Sequence, residues 1–216
     1  MASRPIHPLV IAHRGLHTCA AENSLAALKA GMACADGFET DIVRSADGIL
    51  VLSHDPDAPD GRPISAVDYR ELQALWRCSG GELASLEELL VVARPGSFAC
   101  LELKAAGLGA EVFKRAAPVL GRRLRILSFE PAYLAGVPLA YRWLNIRGAD
   151  EVPSRIGDWS GLCARSDAYP FSLEMPERAA WRVGARDVPR LLADRVRWLI
   201  TDEVASVHAA REALTR

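Results

Sequence analysis

No stretch of this sequence is apolar over the length a membrane span requires, and its five cysteines never form a CxxC pair. The first absence excludes a bilayer-crossing helix. The second removes the usual spacing of a zinc or redox pair. Cys19, Cys34, Cys78, Cys100 and Cys163 are scattered and odd in number, so reduced thiols acting as small apolar fillers in a cytoplasmic protein are expected. A surplus of charge is lacking too. The formal net charge is −1, which leaves no broad basic field to hold nucleic acid or to anchor the chain on an anionic membrane. The opening "MASRPIHPLVIAHRG" has neither a long apolar h-region nor a small-residue cleavage site, so no secretory signal is expected. No repeat, low-complexity tract or interdomain linker is visible, and residues 1–216 are expected to form one domain.

What is present is ordinary for a globular chain with a sizeable core: 50% hydrophobic and 25% charged residues. Strand-like and helix-like segments alternate. Strands are expected at 8–13, 37–43, 49–54, 98–104, 123–129, 138–144, 161–165, 180–183 and 196–201. Most are short apolar runs without polar alternation, as in strands buried on both faces. Between them, "SLAALKAGMACA" has helical spacing with Asn23 or Ser24 as cap. "SLEELLVVA" opens with Ser85 and Glu88 in a capping-box pattern. "LGAEVFKRAAPVL" and the final "DEVASVHAAREAL" are helical in period as well. Asp47-Gly48 suits a tight turn in a hairpin that follows the second strand. Repeated strand–helix units imply parallel strands with right-handed crossovers, and about eight strands besides the hairpin arm fit an α/β fold of the (β/α)8, TIM-type barrel. Pro170 and Pro176 interrupt residues 166–179, where an outer helix should be short or missing.

The chemistry-bearing residues gather near strand ends. In "FETDIV", Glu39 and Asp41 are two apart and share one face of a strand; in "LELK", Glu102 and Lys104 do the same. Ionised groups inside apolar strands are costly unless paired or bound to metal. At the C-terminal ends of barrel strands, where His13 also falls, they become useful. His54 ends the hairpin arm and can fold back over the same mouth. Three carboxylates form a hard oxygen site that selects Mg²⁺ or Ca²⁺. Two histidines beside such a site can act as acid and base. Arg14 and Lys104 suit a phosphate. An anionic substrate with a leaving group to protonate follows, and a phosphodiester fits. Taken singly, each residue has a plainer reading. Glu39 or Asp41 can pair with Arg44 or Lys29. His13 can be a buried histidine satisfied by backbone, Glu22 and Asn23 can be helix-start residues, and Lys104 can be a solvated strand-end charge. His7, His17 and His208 read as structural or surface residues, and Trp181 as core or as lining of the substrate pocket.

In combination, "HRG" (13–15), "ENS" (22–24), "ETD" (39–41), "DG" (47–48), "HD" (54–55), "LELK" (101–104), "SF" (128–129) and "ITD" (200–202) resemble the glycerophosphodiester phosphodiesterase family in order and spacing. The resemblance implies a TIM-type barrel, one divalent metal ion (Ca²⁺ or Mg²⁺) and hydrolysis of a small-molecule glycerophosphodiester to sn-glycerol 3-phosphate and an alcohol. It implies His13 and His54 as the acid–base pair, and Glu39, Asp41 and Glu102 as metal ligands. Arg14 and Lys104 become phosphate contacts, with Glu22 near the metal, Asn23 holding its loop, and Trp181 at the substrate pocket. The chain departs from the family pattern at Ala21, where proline is common, and at Arg182 and Gly184 in "AWRVGARD". Direct attack by water and passage through a cyclic phosphate both remain open, as does the order in which the histidines act. A related phosphodiesterase acting on lysophospholipids or phosphoinositides, and a non-catalytic barrel that kept the motifs, are the alternatives.

Overall fold

The computed structural model describes residues 7–18, 20–169 and 175–215; Cys19 and the expected break at Pro170 lie outside them. Eight parallel strands close into a barrel: β1 (Leu9–Ala12), β2 (Gly37–Arg44), β4 (Phe98–Leu103), β5 (Leu124–Ser128), β6 (Arg142–Ile146), β7 (Gly161–Arg165), β8 (Glu177–Trp181) and β9 (Trp198–Thr201). Closure comes from β1, which pairs with β9 on one side and with β2 on the other. Strand β3 (Leu50–Leu52) stands apart, antiparallel to β2, and forms the arm expected from Asp47-Gly48. Gly48 takes φ +86°, a conformation that a side chain at the tip would resist.

Helices α1 (Leu25–Cys34), α3 (Leu86–Val92), α4 (Gly109–Leu120) and α6 (Val204–Thr215) lie where their periodicity placed them. Ser24, not Asn23, caps α1 by accepting from the Ala27 amide, and Ser85 and Glu88 complete the capping box of α3. Two helices were not among those expected from the sequence. Helix α2 (Tyr69–Cys78) buries only Leu72 fully, and α5 (Val188–Ala193) is a six-residue piece opening on Pro189. Between β5 and β7 the connections are short 3₁₀ turns without an α-helix. The same holds after β7 as far as the chain is described, where a short or missing helix was expected.

Two strands differ in position from expectation. β6 begins at Arg142 because Pro138 lacks an amide proton and Leu139–Tyr141 winds into a 3₁₀ turn. β8 begins at Glu177 because its opening charges are paired: Glu177 with Arg125, and Arg178 with Asp194.

The inside of the barrel is filled by Ile11, Cys100, Leu127, Trp143, Cys163, Ala179, Trp198 and Ile200. Larger apolar layers lie between strands and helices, one around Leu28, Phe38, Leu101 and Val112, the other around Val10, Leu162, Leu191 and Val207. At the N-terminal end of the strands the Arg125 guanidinium sits 5.5 Å from the Trp143 ring centre and 5.1 Å from that of Trp198. Two of its nitrogens donate to Glu177, at 2.5 and 2.7 Å. This plug closes the bottom of the barrel and leaves the C-terminal end as the open mouth. Trp143 is fully buried, so Trp143→Ala should cost about 3–5 kcal/mol, read from chemical unfolding at 25 °C. A loss below about 1 kcal/mol would show that the barrel interior does not depend on this ring.

Candidate active site

Strand register builds the site. Asp41 lies opposite Glu102 in the β2–β4 ladder, and Glu39 is two residues earlier on the same face. Their carboxylates supply oxygens that all lie within 4.8 Å of one another. All three side chains are buried. The register Ala12↔Thr201 sets the next residues of β1 and β9, His13 and Asp202, side by side. The β2–β3 arm returns through a Ser53 amide bond to the Asp41 carbonyl, which brings His54 to the mouth.

The loop from His13 to Ser24 is folded back tightly. Gly15 takes φ +79°, and a Cβ there would lie 2.5 Å from the Ala27 carbonyl carbon. Arg14 and Asn23 also have positive φ, 52° and 58°. Asparagine tolerates this region; arginine stores strain of order 1–3 kcal/mol. That conformation lets the Arg14 amide donate to Glu39 Oε2 at 3.1 Å. The Arg14 guanidinium donates to both Glu22 oxygens at 2.9 Å, and its Nε lies 3.3 Å from Asp41 Oδ2. Asn23 is buried and commits its amide inward: Nδ2 donates to Asp41 Oδ2 at 3.0 Å, and Oδ1 accepts from Thr40 Oγ1 at 2.7 Å. Lys104 Nζ lies 3.0 Å from Asp41 Oδ1 and donates to Glu102 Oε1.

Electrostatics follow from this packing. Burial, reinforced by the charge of Asp41, pushes the Glu39 carboxyl up to about 8. Burial also raises Glu102, with Lys104 working against it. The acids can share this space only because cations or protons offset them. For His13, burial disfavours the charged ring, but the hydrogen bond to Asp202 and the charges of Glu39 and Asp202 outweigh it and raise its pKa. Asp202 is held far below the usual carboxylate range, first by that hydrogen bond.

Each candidate histidine has a carboxylate on Nδ1: His13 on Asp202 at 2.8 Å, His54 on Asp55 at 2.8 Å. A carboxylate only accepts, so Nδ1 carries the proton and Nε2 is the end left to exchange one. His13 Nε2 lies 3.9 Å from Glu39 Oε2. A cavity of about 510 Å³ brings His13, Arg14, Glu39, His54, Glu102, Lys104 and Trp181 to one mouth. Asp41 lies beneath it, and Glu22 and Asn23 line the adjoining cleft beside His54.

Residues without an assigned role in the sequence also converge here. Asp202 holds His13 and accepts from His17 Nε2 at 3.0 Å, so His17 borders the site. Asp55 holds His54. Both were visible as the "D" of "ITD" and "HD", but nothing in sequence told that a carboxylate would reach an imidazole. Asn145 on β6 donates to Glu102 Oε2 at 3.0 Å, and its own Oδ1 has no hydrogen-bond partner although buried. The donor set is thus three carboxylates with a further oxygen open beside Glu102, which fits a hard divalent cation and not a soft one.

Residues 13–102 match the model of the Glycerophosphoryl diester phosphodiesterase family, a span that contains every candidate site residue except Lys104 and Trp181. Solved structures share the fold. A glycerophosphodiester phosphodiesterase from Parabacteroides distasonis superposes with TM-score 0.81 at 22% identity over 99% of this chain and 100% of that one. An Oleispira antarctica phosphodiesterase, in complex with the product sn-glycerol-3-phosphate, gives 0.75 at 24% over 95% and 97%. A glycerophosphodiester phosphodiesterase from Thermotoga maritima gives 0.72 at 20% over the full length of both chains. No curated protein matches the sequence. In barrel and in family match alike, the proteins this chain is similar to are enzymes of the phosphoric diester hydrolase class. Within that class, the match over residues 13–102 is to the glycerophosphodiester phosphodiesterases, the resemblance that the motifs led us to expect. Among the described residues no helix is long and apolar enough to cross a membrane.

The His13–Asp202 pair makes a prediction about pH. The raised His13 and the lowered Asp202 stabilise the fold together only where both are charged, above the ordinary aspartate range and below the folded pKa of His13. In metal-free protein Asp202→Asn should therefore destabilise most near pH 5–6, about one unit below the usual histidine value. The loss should shrink as pH rises through the His13 titration, and NMR titration should show the His13 pKa falling. A pH-independent loss would contradict the pairing.

Proposed function

We propose that this protein hydrolyses glycerophosphodiesters to sn-glycerol 3-phosphate and an alcohol, using one divalent cation, Ca²⁺ or Mg²⁺, and His13 and His54 as acid and base. The observation that carries the reading is the convergence of two carboxylate-held imidazoles, two cationic side chains and two buried carboxylates on one cavity, with the third, Asp41, beneath it. The Oleispira protein's bound product supports the substrate class.

Glu39, Asp41 and Glu102 would hold the cation, which when bound supplies charge to offset the phosphoryl oxygens. Arg14 and Lys104 are now partly spent on Asp41, Glu22 and Glu102. A ligand at those carboxylates frees their N–H groups for a phosphate. One imidazole Nε2 takes the proton of the attacking hydroxyl, from water or from the substrate's own glycerol. The other Nε2 gives a proton to the departing alkoxide as its bond to phosphorus breaks. Attack by the glycerol hydroxyl yields a cyclic phosphate, which water then opens with the two imidazoles in exchanged roles. Asp202 and Asp55 hold the rings and stabilise the imidazolium that each step creates. Asn23 contributes through Asp41, whose orientation it sets. The substrate is a small molecule, with no role for nucleic acid or membrane anchoring. A single domain over residues 1–216 and a cytoplasmic location complete the reading.

Enzymatic detection of glycerol 3-phosphate released from glycerophosphocholine or glycerophosphoinositol, with and without EDTA, tests the function. Release that stops on chelation and returns with Ca²⁺ or Mg²⁺ is expected; release indifferent to EDTA removes the cation. His13→Ala and His54→Ala should each lower turnover by about 10²–10⁴ with the thermal midpoint little changed. Either variant at near-normal rate takes that histidine out of the mechanism. Glu39→Gln should weaken cation binding by calorimetry while leaving the metal-free fold as stable or more so, because it removes a carboxylate that burial already disfavours. An unaltered cation isotherm would reject Glu39 as a ligand.

A further inference from the structure

Across the cavity from the carboxylates, the wall is made by Phe129, Arg147, Trp181 and Arg182, which lie at the C-terminal ends of β5, β6 and β8. None of these is needed to hold the cation or to move a proton. The Trp181 Nε1 donates to the Ile146 carbonyl at 3.2 Å, and its ring meets Phe129 edge to face at 5.7 Å. Such an aromatic pair would ordinarily suit a quaternary ammonium group. Here the place is taken. The Arg147 guanidinium carbon lies 4.3 Å from the centre of the Phe129 ring, so a cation fixed to the chain already covers that ring. Arg182, held at φ 55°, adds a second guanidinium to the same wall.

The balance of charge on this side is positive. Glu39, Glu102 and Asp202 are the acids among the described residues lining the cavity. Glu39 and Glu102 are taken up by Arg14, Lys104 and Asn145, and Asp202, which follows β9 next to β8, is held by His13 and His17. Glu151 takes one Arg147 nitrogen at 3.3 Å, but the Arg147 side chain is 58% exposed, and an exposed pair of that kind is weak and leaves most of the guanidinium fork free. Asp167, outside the cavity lining, feels the charge of Arg182 but is hydrogen-bonded to Arg165 at 2.5 Å.

We propose that the alcohol half of the substrate carries an anionic group, such as a phosphate monoester, which Arg147 and Arg182 receive. This rests on the phosphodiesterase reading and narrows its substrate. A choline or ethanolamine ester would set a positive group against two guanidiniums, whereas a second phosphate would meet planar donors suited to it.

The test compares glycerophosphocholine, glycerophosphoinositol and glycerophosphoinositol 4-phosphate as substrates of the full chain with Ca²⁺ or Mg²⁺ present. The phosphorylated ester should exceed the choline ester in kcat/KM by about tenfold or more. The double variant Arg147→Gln/Arg182→Gln should shrink that ratio by about tenfold, chiefly through KM for the phosphorylated ester. Arg147→Glu should move preference toward the choline ester. Hydrolysis of all three with the choline ester equal or preferred, or a ratio unmoved in the double variant, overturns this proposal and leaves the phosphodiesterase reading standing. Hydrolysis of none of them overturns both.

Discussion

Buried negative charge is the constraint around which the mouth of this barrel is organised. Glu39, Asp41 and Glu102 lie on neighbouring strands with almost no exposure, where isolated carboxylates would be untenable. Each is offset. Glu39 is pushed toward its protonated form, Asp41 lies against Arg14, Lys104 and Asn23, and Glu102 meets Lys104 and Asn145. Even the strained backbone of Arg14 serves this balance, since it aims an amide at Glu39. Remove the offsetting groups and the strands could not keep three acids together. With them, the fold holds a preformed nest of carboxylate oxygens.

The same principle operates at the other end of the barrel with the opposite sign. Arg125, placed between two tryptophans and bonded to Glu177, is a half-buried cation made tolerable by ring faces and one carboxylate. One end of the barrel is sealed by a charge that is fully partnered. At the other end the cations Arg14 and Lys104 are partnered by carboxylates that line or underlie an open cavity. That difference, more than the barrel itself, separates the structural end from the chemical one.

Much of this was legible in the chain. Short apolar runs marked β1, β2, β4, β5, β7 and β9 within a few residues, and the paired carboxylates stood out because apolar strands seldom carry them. β8 was harder to place because Glu177 and Arg178 look like loop residues until Arg125 and Asp194 are seen opposite them. Helix α2 carries an apolar stripe, Tyr69, Leu72, Leu75 and Trp76, that went unread because polar residues separate its members along the chain. Asn145 was silent for another reason: one amide in an apolar run has no meaning until Glu102 is found facing it.

The sequence alone determined which chemistry was available: hard acids on strands, histidines at strand ends, and cations beside them, because residue type and period-two spacing are local properties. Which groups meet was decided only by closure of the barrel. The register Ala12↔Thr201 joins His13 to Asp202 across 189 positions of sequence, and the stack of Arg147 on Phe129 follows from neighbouring strand ends. Hydrogen bonds and ion pairs act over a few ångströms, so partners far apart along the chain can be known only after the strands have set that distance.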